Sequence, residues 1–146
     1  MEVNSIIQGV LFSFLLFIAS YIDIKRRVIP EKFCILIALT ALIDFRYLNL
    51  LGIFVALPLL IAAMCKEDSI GGGDIKLVAV SGIVLGFLKG MYGLMIGLSF
   101  LTVFYVLYVV VRKIGRKQVA KDLYLPLAPF LGLGFIIIYF LTLGGR

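Results

Sequence analysis

Six apolar stretches, parted by short polar ones, constrain this chain more than anything else in it. They run from Ile6 to Ile22, Phe33 to Ile43, Tyr47 to Cys65, Ile75 to Leu88, Met91 to Val111 and Leu123 to Leu143. A helix needs about 20 apolar residues to cross a bilayer, within a range of roughly 17–25. The stretches therefore predict an all-α polytopic membrane protein with six transmembrane helices. Segment two reaches span length only if it starts near Ile29, and segment four only if it takes in Gly73 and Asp74. The chain is 63% hydrophobic with a mean hydropathy of +1.18, where a soluble domain has about half apolar residues. Its 146 residues leave little for a soluble domain, and 1–146 reads as a single membrane-embedded unit.

The polar loops orient it. Lys25, Arg26, Arg27, Lys32, Lys66, Lys76, Arg112, Lys113, Arg116, Lys117 and Lys121 follow segments one, three and five, eleven positive residues against three (Arg46, Lys89 and Arg146) on the other side. Positive residues are retained on the cytoplasmic side. Both termini are expected outside, in a cell membrane, and the net charge of +6 reads as this bias rather than as a nucleic-acid surface. No signal peptide is expected: Glu2 stands in place of a basic start, and no A-x-A site follows.

Between segments three and four lies Gly71-Gly72-Gly73-Asp74-Ile75-Lys76. Three glycines make a poor helix interior but let a backbone bend or lie close to another chain. A carboxylate at the mouth of an apolar segment is costly to desolvate and marks a functional site. The plainer reading is a loop with Asp74 as a helix N-cap, and on this stretch alone both stay open. A phosphate loop does not fit, since neither a Gly-Lys-Ser/Thr ending nor a GxGxxG is present. Elsewhere, Pro30 suits the first turn of a helix and Pro58 predicts a kink in segment three. Gly82, Gly86 and Gly90, then Gly93 and Gly97, have the spacing of close helix packing in lipid.

Asp23 ends segment one and Asp74 begins segment four, so charge counting puts both at the cytoplasmic boundary. Two carboxylates a few ångströms apart share a proton. One can then take a proton from water while the other donates to a carbonyl oxygen, which is aspartic-protease chemistry. It asks for no metal and no cofactor. The chain contains no histidine, which excludes Ser-His and Cys-His catalysis. Cys34 and Cys65 lie in apolar segments and read as small core residues. The plain alternative is that the aspartates are solvated helix-end charges, as Asp44, Asp68 and Asp122 are read to be. A rival of another class is a small transporter or channel subunit using the aspartates for protons or cations, though no inverted second half is visible.

At these residues the sequence resembles the type IV prepilin peptidase family, membrane aspartic proteases with a G-x-G-D motif. Gly71 to Asp74 followed by Ile75-Lys76-Leu77 is similar to the family's G-x-G-D-[VI]-K-L. Asp23 with Arg27, Ile29 and Pro30 resembles its D-x3-R-x-I-P. Leu125 to Gly134, with Pro126 and Pro129, resembles its last helix. The resemblance implies that Asp23 and Asp74 are catalytic, with Gly71, Gly73, Lys76, Arg27, Pro30, Pro126 and Pro129 binding substrate or supporting them. It implies that a pilin-like precursor loses its leader at the cytoplasmic face, after a glycine at the leader–helix junction, with membrane lipid the other partner and no nucleic acid. Gly71 to Gly73 are expected to leave room for the substrate strand, Lys76 to snorkel or tune Asp74, and Pro126 and Pro129 to loosen the last helix. Glu31 stands where the family commonly has Asn, and Ala128 where it has Gly. The cysteines of the family's zinc-binding loop are missing, so the likeness is to short members without methyltransferase activity. Presenilin-like intramembrane proteases share the same two-aspartate logic and remain an alternative.

Overall fold

The computed structural model describes residues 3–65, 70–115 and 125–144. Among these the chain is all-helical: α1 (Val3–Arg26), α2 (Glu31–Thr40), a 3-10 helix η1 (Tyr47–Ala56) running into α3 (Leu57–Cys65), α4 (Gly72–Leu85), α5 (Phe87–Ile114) and α6 (Ala128–Gly144). Residues 66–69 and 116–124, which carry four of the eleven positive residues counted after segments one, three and five, lie outside the described residues.

Among the described residues, three helical stretches are long and apolar enough to cross a membrane: Val3–Arg26, Tyr47–Cys65 and Phe87–Ile114, with Ala128–Leu143 apolar but shorter. At 1.5 Å per residue, α2 with 10 residues and α4 with 14 span roughly 15 and 21 Å, against a hydrocarbon core of about 30 Å. Segment two does not start near Ile29: its helix begins at Glu31 and gives way to a turn over 41–44. Segment three is continuous but changes from 3-10 to α between Ala56 and Leu57. Pro58 is the second residue of α3, at the change from 3-10 to α, where its missing N–H interrupts the series of backbone bonds. Lys89 was expected to close segment four. Instead the break comes at Gly86, whose φ of +86° is costly for any residue with a Cβ, and Lys89 lies in the first turn of α5.

The helices pack through small residues, as the glycine spacing predicts. A Cβ on Gly82 would collide with the Gly52 carbonyl, and one on Gly52 with that of Gly82, so α4 and η1 meet backbone to backbone. Gly93 and Gly97 of α5 seat Phe135 and Leu131 of α6, both fully buried. Phe12 and Leu16 of α1 and Leu77 and Val78 of α4 complete the core. The outer face of α5, including Val103, Leu107 and Val111, is exposed, as suits lipid.

α1 and α6 run antiparallel. At one end Tyr139 Oη lies 2.7 Å from the Ser5 carbonyl and 2.8 Å from Gln8 Oε1, while Gln8 Nε2 donates to the Thr40 carbonyl at 2.9 Å. Ser5 Oγ donates to Asp44 at 2.9 Å, so Asp44 is bonded to the bundle rather than merely solvated. At the other end, the last turn of α1 meets the first turns of α4 and α6. The two aspartates are there.

Candidate active site

Asp23 sits in the last turn of α1, 6% exposed. Its backbone carbonyl accepts from Arg27 N–H at 2.8 Å. Arg27 has a φ of 55°, the left-handed conformation that commonly ends helices, and it turns the chain through Val28 and Ile29. Pro30, extended at φ −65°, ψ 137°, is the N-cap of α2, one residue ahead of the expected first turn. Ile29 is buried. Across from it, Gly73 lies so close that a Cβ there would be 3.2 Å from the Ile29 Cβ and 3.4 Å from its nitrogen. Gly73 therefore fits the Asp23 loop against α4, where the sequence had suggested room for a substrate strand. Gly72 alone of the three faces open space.

Asp74 is the third residue of α4. The helix N-cap is Gly71, not Asp74, so the plain capping reading does not hold. The Gly71 carbonyl accepts from Asp74 N–H at 3.0 Å, and a Cβ on Gly71 would sit 3.2 Å from Asp74 Oδ2. A carboxylate in a first turn is favoured by the helix dipole. Asp74 Oδ1 is nevertheless buried with no hydrogen-bond partner among the described residues, an unusual state for a buried polar atom.

The two carboxylates share one cavity of about 130 Å³, walled also by Arg27, Val28, Ile29 and Gly71 to Gly73. Asp23 Oδ2 accepts the backbone N–H of Ala128 at 3.2 Å. That donor is one of the first-turn amides that a helix leaves unpaired, so α6 offers it at no cost to its own ladder. Pro129 is the second residue of α6, where its missing N–H is harmless, and α6 runs unbroken to Gly144. The prolines thus set where α6 begins, close to Asp23, and do not loosen it.

Lys76 has a carboxylate partner other than Asp74. Its ammonium is ion-paired with Glu31 in the first turn of α2, both side chains largely exposed. The departure at Glu31 thereby gives the lysine a partner. Of the residues singled out in the sequence, Asp23, Asp74, Arg27, Gly71 and Gly73 line one cavity. Sequence reasoning missed Ala128, which acts through its main chain, and Val28 as a wall. The one available signal for Ala128 was its place just before a first-turn proline.

A protein-family model described as the type IV leader peptidase family matches residues 10–111, a stretch that includes both aspartates and ends before α6. No curated protein and no solved structure matches the chain.

Proposed function

Because this chain belongs to the type IV leader peptidase family, we propose that it is a membrane aspartic endopeptidase that cuts the leader from pilin-like precursors, with Asp23 and Asp74 as the catalytic pair. One observation carries the reading. Carboxylates from the ends of two helices line a single cavity, one held by a backbone amide and the other with an oxygen left unpartnered. Such a pair holds one proton between its members. The ionised member takes a proton from water, whose oxygen attacks the scissile carbonyl carbon. The protonated member donates to the carbonyl oxygen, and the tetrahedral adduct collapses as the leaving amine takes a proton. Neither metal nor cofactor enters the step.

Six spans, with both termini outside and the pair at the cytoplasmic face, fit the eleven-to-three charge bias. In that arrangement the short helices α2 and α4 complete their crossings with flanking residues. Asp23 and Asp74 at helix ends favour cleavage at the membrane boundary. A presenilin-like protease cutting within the bilayer fits this placement less well, and a proton-coupled transporter needs a path from the pair to the far side. The test is purified protein in nanodiscs with synthetic precursors carrying a basic leader, a junction glycine and an apolar helix, read by mass spectrometry. Cleavage after the glycine supports the reading. Cleavage deep in the apolar helix, indifferent to the glycine, points to the presenilin-like alternative, and no cleavage of any precursor overturns the assignment.

A further inference from the structure

The seam between α1 and α6 holds a second cavity that the chemistry at the dyad does not use. It measures about 290 Å³, and its lining includes Leu16, Ser20 and Ile24 of α1 and Pro129, Gly132 and Leu133 of α6. Ser20 Oγ already donates to the Leu16 carbonyl at 2.7 Å, so this part of the lining asks for no polar ligand. Gly132 lets α6 lie close to α1 along the groove: a Cβ there would be 3.3 Å from Ser20 Oγ. Its walls are open, with Phe17 at 62% and Leu133 at 46% exposure.

Its position is the telling feature. Leu16 and Asp23 are seven residues apart on α1, two turns along one face, or about 10 Å. Gly132 lies one turn beyond Ala128 on α6. The floor of the groove is thus in line with the Asp23–Ala128 hydrogen bond, and Ile24 and Pro129 at its near end adjoin those two residues in sequence. We infer that this groove receives the apolar helix of the precursor, packed between α1 and α6 so that its junction with the leader arrives at the dyad. This rests on the leader-peptidase reading. A lipid chain has no reason to favour a groove that ends at the carboxylates, whereas a substrate whose apolar helix begins at the scissile bond must lie in line with them. Small residues such as Gly132 and Ser20 let helices approach closely where lipid supplies no hydrophobic drive.

The experiment compares two synthetic peptides in nanodiscs: one with leader, junction glycine and apolar helix, the other ending shortly after the glycine. Leu133→Trp and Gly132→Leu fill the groove. The expected result is that the preference for the long peptide, as a ratio of kcat/KM, falls about tenfold through the KM of the long peptide. Leu133 is partly exposed, so Leu133→Trp keeps the test usable if Gly132→Leu fails to insert. A second measurement reads docking without turnover. In an Asp74→Asn, Cys65→Ser background, Phe17→Cys and Leu133→Cys are oxidised with long peptides carrying one cysteine at successive helix positions. Adducts recurring every three to four residues support the groove. An unchanged ratio, equal loss on both peptides, or absence of adducts overturns it and leaves the peptidase reading standing. Adducts without cleavage by the unaltered protein keep the groove and overturn the peptidase reading.

Discussion

Replacing Gly73 tests how tightly the two aspartates are held in place. A Cβ at this position meets the Ile29 Cβ at 3.2 Å, its nitrogen at 3.4 Å and its oxygen at 3.5 Å. Two of the three neighbours are backbone atoms of the loop that follows Asp23, so a rotamer change cannot clear them. In Gly73→Ala the first turn of α4 must back away by a few tenths of an ångström, carrying Asp74 with it. In Gly73→Val two more carbons enter and the retreat approaches 1 Å. Overpacking of this kind costs about 1–3 kcal/mol, but alanine in a helix regains up to about 1 kcal/mol over glycine. Stability should therefore change little in Gly73→Ala while geometry changes. A misplacement near 1 Å costs on the order of 100-fold in rate, so Gly73→Val should lose about that much and Gly73→Ala a smaller part, with insertion intact. Gly72→Ala is the companion, because a Cβ there meets nothing within 4 Å. Cleavage of a precursor peptide, beside thermal unfolding in detergent, reads both quantities. If Gly73→Val turns over within about twofold of the parent, or Gly72→Ala loses as much as Gly73→Ala, Gly73 does not act by fitting the Asp23 loop to α4.

Asp23→Asn and Asp74→Asn should each abolish cleavage yet leave a folded, inserted protein, since neither carboxylate forms a salt bridge among the described residues; near-normal turnover in either removes that residue from the mechanism. The rate should fall at both acidic and basic extremes, with limits that belong to the pair; a flat profile across the range would rule out a shared proton. Tyr139→Phe should cost about 1 kcal/mol in unfolding free energy by leaving Ser5 and Gln8 short of a partner at the end away from the dyad, and activity loss exceeding the stability loss would contradict its placement. A cysteine at Arg26 should be shielded from an impermeant reagent outside intact cells and one at Lys89 should label; the reverse pattern inverts the orientation.

Much of this architecture was legible because hydropathy and charge act over many residues at once. The glycines of α4 and α5 announced close packing by spacing alone, and their partners proved to be Gly52, Phe135 and Leu131. Asp23 and Asp74, which line one cavity, stood out because two carboxylates sat at the edges of apolar segments. What escaped were features set by single backbone conformations. Gly86 divides α4 from α5, but the sequence around it is apolar on both sides, so the nearest charge, Lys89, was mistaken for the boundary. Arg27 carries no mark of its positive φ. Segment two was short from Phe33 to Ile43 and reached span length only by starting near Ile29, but Ile29 belongs to the loop after Asp23, where it packs on Gly73. Ala128 escaped for another reason: it offers a peptide N–H, which every residue except proline possesses.

That N–H ties together two distant parts of the chain. The donor is 105 positions after the carboxylate it meets. The stretch from α1 to α4 carries both aspartates, and α6 follows them in the chain. A chain cut before α6 would hold both acids but lack the donor that Asp23 meets.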